Sequence, residues 1–437
     1  MEGMKNNISK LKIALVGDVL VTHRIPYTEQ LDNIASFFKL HDCVIGNLET
    51  VVRNREGYPE AFPGGGSCFC QPKCLDDLKS MGFNMFSTGN NHSMDYGHGG
   101  LLASIKYLED FDIPHAGSGC NLAEASRAAH YETKAGRVAL INVTSSFHDS
   151  YLAGPQNQEV CGRPGVAPLR HKALYTIPHE DFINIKKIAD FSGINSYHKQ
   201  AIKEGYLNDC PHFKFGTFEF EEGDDYHLTT SPLEIDMQRT INIIQDAKLE
   251  SDVVVISVHS HQFFKEKQNS PEFIEIFSHE CIKAGADIVF CHGPHLLRGI
   301  EKFRNGIIFY GLGNFILQHE GMEYIPEEAY IKQGFSRSSM KGVQYLFLER
   351  NQNGTKGLIA SKAAWESVIA SVEITEKYIK VELHPIRLNL NGIKGFKGLP
   401  YLSKDRSVIE HIIHLSENYK TEMHVNTENV GLIKIER

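Results

Sequence analysis

The sequence predicts a mixed α/β fold with an antiparallel C-terminal part, because two kinds of apolar pattern follow one another along the chain. Through most of the chain, short apolar strands alternate with amphipathic helices, which is typical of βαβ units. After Met340 the apolar residues alternate along longer segments, which is typical of antiparallel strands with one solvated face. The predicted elements of this last part are strands at 343–348, 358–370 and 372–388, a helix at 404–415 and a strand at 430–435.

In the α/β part, each element has its own local signal. Short apolar runs that end in glycine and a polar residue predict buried strands. Helical spacing of apolar residues, with proline near the first turn and glycine after the last, predicts helices. The predicted strands are 12–17, 43–47, 84–88, 138–143, 252–258, 287–291 and 306–310, and the predicted helices are 72–81, 99–111, 180–191, 235–249 and 271–284.

One segment, at about 150–232, breaks the alternation with Gly-Pro pairs, aromatic residues and clustered charges. Long insertions in compact folds are usually lids or binding elements, so we expect an insertion over the functional site. Mixed-sheet chains of 437 residues often form one large domain. We therefore predict a main domain at 10–330 that carries the insertion, and C-terminal strands and a helix at 331–437 that complete it.

Composition excludes several classes of protein. The formal net charge of −9 argues against a nucleic-acid binder, which needs positive charge to neutralise phosphates. The N-terminus lacks the pattern of a signal peptide and no run of 18 apolar residues occurs, so we expect a cytoplasmic protein without a membrane span. Nine cysteines without a CxxC pair predict reduced thiols, although Cys68, Cys70 and Cys74 leave a soft-metal site open.

Residues that bind metals follow several of the predicted strands. In α/β proteins the carboxyl ends of strands face one crevice, so such residues can converge although they lie far apart in sequence. A mixture of carboxylate, amide and imidazole ligands suits one or two divalent ions of manganese, iron or zinc. Such residues occur in six segments, Gly17-Asp18, Gly46 to Glu49, Gly89 to His92, Val258 to His261, His292 to His295 and Gly313-Asn314.

Each candidate also has a simpler interpretation. Asp18 either binds metal or caps the next helix, and Asn90-Asn91 either contributes to the site or forms a turn. A single histidine beside a strand is usually structural. Two histidine pairs at two neighbouring strand ends, 259/261 and 292/295, favour metal binding instead.

These motifs together resemble the CapA family, the poly-γ-glutamate synthesis proteins within the calcineurin-like metallophosphoesterase superfamily. The resemblance covers about residues 10–320. The motifs that carry it are Gly17-Asp18, Asn47-Leu48-Glu49, Asn90-Asn91-His92 with Asp95-Tyr96-Gly97, His259, Gly285-Ala286-Asp287, His292-Gly293-Pro294-His295 and Phe309 to Phe315.

The resemblance implies a four-layer α/β/β/α sandwich whose metal site lies between the C-terminal ends of two central sheets. It implies that Asp18, Glu49, Asn91, His259, His292 and His295 are metal ligands, and that His92 is the general acid or base beside the substrate. We expect Asp95 and His261 to take part in catalysis and Asn90 in substrate binding.

The chain also departs from the pattern of its relatives. Superfamily phosphatases usually carry a histidine two residues after the first Asp, where this chain has Leu20, so one metal position is expected to be weaker or vacant. Glu49 stands where an Asp is usual. His259-Ser260-His261 replaces the more frequent His-Trp-Gly, which leaves open whether His261 binds metal or substrate.

Three arginines are candidate ligands for an anionic substrate, because the guanidinium fork suits carboxylate or phosphate. They are Arg24 after the first motif and Arg163 and Arg170 in the insertion. A solvated surface charge is the alternative for each.

Three hypotheses about function remain. The first is metal-assisted hydrolysis of a phosphoester or a glutamyl-type peptide, with His92 protonating the leaving group. The second is metal-assisted epimerisation of a peptide, in which a histidine removes the α-proton. The third is a metal-stabilised protein without catalysis that binds a polymer or a partner. We favour a CapA-type hydrolase that acts on a small-molecule or peptide substrate.

Overall fold

The protein has a mixed α/β architecture with several sheets, as the sequence predicts. The computed structural model describes residues 10–437 except 319–320, 323, 333, 336–342 and 391–394. The strands are, in chain order, β1 (Leu11–Leu20), β2 (Cys43–Leu48), β3 (Val51–Val52), β4 (Phe69–Cys70), β5 (Met85–Ser87), β6 (His115–Ala116), β7 (Ser118–Gly119), β8 (Ala129–Glu132), β9 (Arg137–Thr144), β10 (Gly165–Val166), β11 (His171–Pro178), β12 (Phe213–Phe215), β13 (Phe218–Gly223), β14 (His227–Pro232), β15 (Val253–His259), β16 (Ile288–His292), β17 (Ile300–Phe303), β18 (Gly306–Phe309), β19 (Asn314–Leu317), β20 (Glu366–Ile374), β21 (Tyr378–Leu388), β22 (Pro400–Leu402), β23 (His424–Val425) and β24 (Gly431–Glu436).

Helices lie between several of these strands. They are α1 (Glu29–Phe38), α2 (Cys74–Met81), α3 (Gly97–Asp110), α4 (Leu122–Ser126), α5 (His179–Ser192), α6 (Ser196–Lys203), α7 (Glu234–Glu250), α8 (Glu272–Ala284), α9 (Glu327–Ile331), α10 (Val343–Arg350) and α11 (Arg406–Ser416). Among the described residues, no helix is both long and apolar enough to cross a membrane.

Two large sheets contain the strands that precede the candidate ligands. The first sheet has the order β23-β24-β21-β20-β1-β2-β5-β6, with β19 beside β1 and β22 beside β21. In it β1, β2, β5 and β6 are parallel, whereas β20 runs antiparallel to β1. The second sheet has the order β17-β18-β16-β15-β9-β8, with a parallel centre. Parallel neighbours end on the same side, so their carboxyl ends gather polar residues.

A shared apolar core lies between these two sheets. Ile13 of β1 and Ile45 of β2 belong to the same buried cluster as Val255 of β15 and Phe290 of β16. The opposite faces are covered by helices. The helices α1 and α2 pack on the first sheet, and the helices α7 and α8 pack on the second. Each central strand is therefore buried on both faces, which explains why it reads as an apolar run.

Much of the segment that breaks the alternation forms a sheet of its own, with the order β12-β13-β11-β14 and the helices α5 and α6 beside it. It is anchored on α8, where Thr230 N donates to Glu272 Oε2 (2.8 Å) and the His171 ring stacks on Phe273. Its role over the functional site, and the division of the chain at about residue 330, stay predictions.

The predicted strand at 343–348 is wrong, because these residues belong to the helix α10. Val343, Leu346 and Phe347 are buried together, and that spacing of three and four residues is helical. The predicted strand at 358–370 begins only at Glu366, after short 3-10 turns, and the residues 372–374 continue that strand rather than starting the next. The antiparallel pairing of β20 with β21 agrees with the prediction.

We predict that Phe309→Ala destabilises the protein by about 3–5 kcal/mol, because it removes a fully buried ring from the core between the sheets. Leu249→Ala is the control, since Leu249 lies on α7 with 87% of its side chain exposed. Urea unfolding followed by circular dichroism measures both changes in the free energy of unfolding. Equal values for the two variants would contradict the assignment of Phe309 to the core.

Candidate metal centre

Asp18 faces the space between the two sheets because β1 carries one extra residue before it. Leu15 pairs with Ile45 and Asp18 pairs with Asn47, so three steps on β1 match two steps on β2. This is a β-bulge, which reverses the side to which the following residues point. Without it, Asp18 would point to the helix-covered face, where its neighbour Val19 lies.

The bulge depends on a glycine at position 17. A Cβ atom there would lie 1.8 Å from Gly313 O, which is impossible. The close approach brings β1 next to the segment before β19, and Asp18 N donates to Gly313 O (3.2 Å). Gly17 therefore serves backbone packing, and it thereby fixes the position of Asp18.

The end of β2 supplies a second carboxylate. Glu49 is fully buried, and neither of its oxygens has a hydrogen-bond partner. Asn47, two residues earlier, donates from Nδ2 to Asp18 Oδ1 (2.9 Å). Asp18 thus has a hydrogen-bond donor within the protein, whereas Glu49 has none and remains available to another group.

The second sheet contributes imidazoles at two paired strand ends. His259 of β15 lies opposite His292 of β16, and their Nδ1 atoms are 2.8 Å apart. The other ring nitrogen of His292 lies 2.7 Å from Ser257 Oγ, which orients the ring. The Nδ1 atoms of both histidines also face Asp18 Oδ1, at 3.9 and 3.6 Å.

The turn after β16 brings a third histidine into the centre. Gly293 and His295 both have positive φ, +112° and +58°, and Gly293 N donates to Asp18 Oδ2 (3.1 Å). His295 Nδ1 lies 3.3 Å from Asp18 Oδ2 and 2.8 Å from Asn314 Oδ1. A non-glycine residue in this conformation is uncommon, and here it aims the imidazole at the carboxylates.

These residues form three overlapping groups of potential metal ligands, which share Asp18, Glu49 and His259. The groups are Asp18 with His259 and His292, Glu49 with His259 and His261, and Asp18 with Glu49 and His295. His261 Nε2, His259 Nε2 and His295 Nε2 lie 3.7 to 3.9 Å from Glu49 Oε1. The structure therefore brings together five of the six predicted ligands, and His261 with them.

The donor atoms fit divalent cations. Both Glu49 oxygens, His259 Nε2, His261 Nε2 and Asn91 Oδ1 are buried without hydrogen-bond partners. Leaving buried polar atoms unpaired costs free energy, and a bound cation removes that cost. Asn91 is the sixth predicted ligand. Its Nδ2 donates to Gly64 O (2.6 Å), so its free oxygen remains available.

The local electrostatics also favour a bound cation. Burial and the nearby charge of Asp18 raise the pKa of Glu49 to about 8. Burial lowers the pKa of His261 to about 3 and that of His292 to about 4, and it also lowers the pKa of His259 well below its usual value. Neutral imidazole is the form that binds metal. Burial alone would raise the pKa of Asp18, but the hydrogen bond and charge of His295 outweigh it and keep Asp18 ionised.

His92 lies beside this centre in a chain of three side chains. His92 Nδ1 is 2.6 Å from Asp95 Oδ2, and Asp95 also accepts from Gly64 N (2.9 Å) and Cys68 N (2.7 Å). Burial lowers the pKa of His92, but the charges and hydrogen bonds of Asp95 and Cys68 together outweigh this effect, so the net pKa lies well above its usual value. The charge of His92 in turn lowers the pKa of Glu49.

The remaining predicted residues have partners within the protein. Asn90 donates to Asn47 Oδ1 (3.1 Å) and Leu48 O (2.9 Å), and it accepts from His92 N (3.1 Å), so it holds the turn that carries His92. Its contact with substrate stays a prediction.

The three arginines are each held outside the centre. Arg24 forms a two-pronged pair with Asp77, and Arg170 does the same with Asp236. Arg163 Nε donates to Leu152 O (2.8 Å). Their role in substrate binding stays a prediction, although these contacts already use the guanidinium groups.

Sequence reasoning missed the residues that orient the ligands. Ser257 is the polar residue in an otherwise apolar run and lies two positions before His259, so strand alternation placed it on the same face. Asn47 and Asn314 were visible in the motifs but had no assigned role. The thiol of Cys68 lies in a group with His92 and Asp95, and no local signal in the sequence distinguished it from a structural thiol.

Comparison with known proteins agrees with the geometry. The profile of the family described as bacterial capsule synthesis protein PGA_cap matches residues 12–319. The chain belongs to the PGA_cap family. The matched region contains every predicted ligand from Asp18 to His295, and the family lies in the metallophosphoesterase-like superfamily.

Individual proteins are similar to this chain at low sequence identity. The protein y4sH of Sinorhizobium fredii is 28% identical and aligns with 98% of this chain and 94% of its own length. The capsule biosynthesis protein CapA of Bacillus anthracis is 21% identical over 70% of this chain and 60% of its own. The PGA biosynthesis protein CapA of Bacillus subtilis is 22% identical over 79% of this chain and 69% of its own.

The raised pKa of Glu49 predicts how pH changes the stability of the metal-free protein. Between the ordinary pKa of 4.5 and about 8, folded Glu49 keeps a proton that the unfolded chain loses, so its contribution to stability is lost as pH rises. In urea unfolding with a chelator, the free energy of unfolding of the wild type should fall by about 1–2 kcal/mol relative to that of Glu49→Gln when the pH rises from 6.5 to about 8. The lower limit of this range is the ordinary pKa of histidine. Parallel pH profiles for the two proteins would contradict the burial of an unpaired Glu49.

Proposed function

We propose that this PGA_cap protein is a divalent-metal-dependent hydrolase of CapA type. The observation that supports this most directly is Glu49, a fully buried carboxylate with two unpaired oxygens that faces the unpaired nitrogens of His259 and His261. A carboxylate in such a place is destabilising unless a cation joins it. The relation to metallophosphoesterases supports the same conclusion, and we propose the four-layer α/β/β/α sandwich of that superfamily as the complete architecture.

Two overlapping positions would hold the ions. Asp18, His259 and His292 offer ligands for one position. Glu49 offers a ligand for a second, either with His259 and His261 or with Asp18 and His295. When bound, divalent ions would supply Lewis acidity toward a phosphoryl or carbonyl group. Imidazole and carboxylate donors of this kind suit manganese, iron or zinc.

The proton transfer is assigned to His92. Asp95 holds Nδ1 of its ring, so Nε2 is the nitrogen that would donate a proton to the leaving group. Since Asp95 is itself fixed by Gly64 N and Cys68 N, the ring is oriented before the substrate arrives. Asp95 therefore positions His92 and keeps it protonated near neutral pH.

The substrate is proposed to be a phosphoester or a glutamyl-type peptide. The names of the Bacillus relatives, which refer to capsule and PGA biosynthesis, favour the glutamyl peptide. A cavity of about 330 Å³ lies next to His92, beyond the Gly65-Gly66 segment, and Phe62, Met322 and Phe347 line it together with charged side chains. It has room for a part of the substrate that does not react.

We predict that protein purified without chelators contains about two equivalents of manganese, iron or zinc, measured by plasma mass spectrometry. Glu49→Gln should lose at least half of this metal, because the amide is a much weaker ligand than the carboxylate. The matched control is Glu301→Gln, which changes a largely buried carboxylate on β17 that bonds Tyr310 and His279. Absence of metal from wild type after reloading would contradict the proposal.

We further predict that His92→Ala lowers kcat by about 10²–10⁴ while the metal content stays unchanged, because His92 acts on the proton and not on the metal. Candidate phosphodiesters and γ-glutamyl peptides are assayed with the reloaded enzyme in heavy water. Hydrolysis that depends on His92 supports the proposal. Deuterium uptake at Cα without hydrolysis would replace hydrolysis with epimerisation, and no turnover of either class would leave a binding protein.

A further inference from the structure

A second cavity, of about 560 Å³, adjoins the cavity beside His92, and Ile325 and Pro326 line both of them. Its volume lies within the usual range of ligand sites, about 300–1,000 Å³. Two arginines, Arg53 and Arg55, line this second cavity, and none of its other lining residues in the described part of the chain is charged. The chain as a whole has 54 acidic and 45 basic residues, so a cavity with positive charge alone is a local exception that favours anions.

Arg53 is held in a fixed place on the wall of this cavity. Its guanidinium carbon lies 3.9 Å from the centroid of the Tyr96 ring and 5.2 Å from that of the Phe69 ring. Its Nε donates to Glu56 O (2.7 Å). A guanidinium group stacked on a ring keeps the N–H groups along its edge available to another partner. Arg53 is therefore oriented before a ligand binds, which lowers the entropic cost of binding.

The carboxylate of Glu56, which is next to Arg55 in sequence, is used by other groups. Its Oε1 accepts from Tyr107 OH (2.6 Å), and its Oε2 accepts from Asn54 N (2.7 Å) and Arg55 N (3.0 Å). These hydrogen bonds fix the backbone that carries both arginines. Among the described residues, neither guanidinium group of this pair forms an ion pair with a carboxylate. Both positive charges thus remain available within one cavity.

We infer that Arg53 and Arg55 form a binding site for an organic anion, whose carboxylate or phosphate oxygens they contact in this cavity. Guanidinium groups bind either oxyanion through two parallel hydrogen bonds. Phe69 and Tyr324 also line the cavity and offer ring surface to the carbon skeleton of the anion. This site lies outside the candidate metal centre, and anion binding there requires no metal.

The site adjoins the residues assigned to proton transfer. Tyr96, on whose ring Arg53 stacks, directly follows Asp95 in the chain. Its OH donates to Ser67 O (3.2 Å), and Ser67 lines the cavity beside His92. The anion site therefore neighbours the space that the proposed function gives to the substrate.

The chain offers a matched control between β17 and β18. Arg304 is exposed there, and its guanidinium carbon lies over the Phe303 ring, 5.9 Å from the centroid. Its removal changes the net charge of the protein by the same amount as removal of Arg55. An effect of Arg55→Ala that Arg304→Ala does not share is therefore an effect of position, not of overall charge.

The test is isothermal titration of protein from which metal has been removed by a chelator and dialysis, with pyrophosphate and, separately, with glutarate. Without metal, the candidate metal centre does not contribute to the binding of either anion. Wild type should bind at least one anion saturably. Arg55→Ala should weaken this binding about tenfold or more, because a charge-assisted hydrogen bond is lost. Arg55→Lys should retain part of the affinity, and Arg304→Ala should leave it unchanged.

The choice of anion identifies the ligand group. A loss for pyrophosphate alone indicates a phosphate ligand, and a loss for glutarate alone indicates a carboxylate ligand. Absence of saturable binding to wild type, wild-type affinity in Arg55→Ala, or an equal loss in Arg304→Ala would overturn the inference. Circular dichroism checks the fold of each variant, and Arg55 is exposed, so its truncation leaves the core intact. Since these samples contain no metal, failure here leaves the proposed function standing.

Discussion

The burial of two carboxylates between two sheets is the constraint that shapes the rest of this structure. Asp18 and Glu49 are both fully buried, and removing an ionised carboxylate from water costs several kcal/mol unless other groups compensate. The protein compensates for Asp18 with Asn47, His295 and Gly293 N. It leaves Glu49 without a hydrogen bond, and burial raises the pKa of Glu49 to about 8. The stability of the fold and the proposed binding of a cation are therefore linked through one side chain.

Backbone geometry places the charges. The bulge in β1 turns Asp18 toward the second sheet, and the parallel register of β15 with β16 puts His259 directly opposite His292. The bulge depends on the absence of a side chain at Gly17, because Gly313 O occupies that space. A donor set from five separate segments thus needs no long connecting loops. It needs strands that end at the same level and one residue that reverses the direction of a side chain.

This geometry explains which parts of the site were predictable from the sequence. Ligands at strand ends have local patterns, so Asp18, Glu49 and the histidine pairs were found, and the structure brings them together. Their partners depend on contacts between distant segments, as between Ser257 and His292 or Cys68 and Asp95. Strand alternation gives the face on which Ser257 lies but not the side chain that it contacts. For the same reason the sequence did not show that Asp77 pairs with Arg24 and that Asp236 pairs with Arg170. The helix α1 was also missed, although Thr28 caps it and Leu31, Ile34 and Phe38 have helical spacing. The prediction of a strand at 343–348 was wrong because apolar residues in so short a segment fit both the strand period of two and the helical period of 3.6. Only burial against a neighbouring cluster decides between the two.

The segment after β16 connects the carboxylates and the histidines of the centre. Within six residues it donates Gly293 N to Asp18, aims His295 at both carboxylates, and through Arg298 fixes the loop of His261 and Lys267. The positions of the candidate metal ligands therefore depend on one another. Displacement of this turn would move His295 away from Glu49 and would loosen the loop that carries His261 at the same time. His92 is held separately, by Asp95 and the Gly64 segment, so the candidate metal ligands and the proposed proton donor are supported by different parts of the fold.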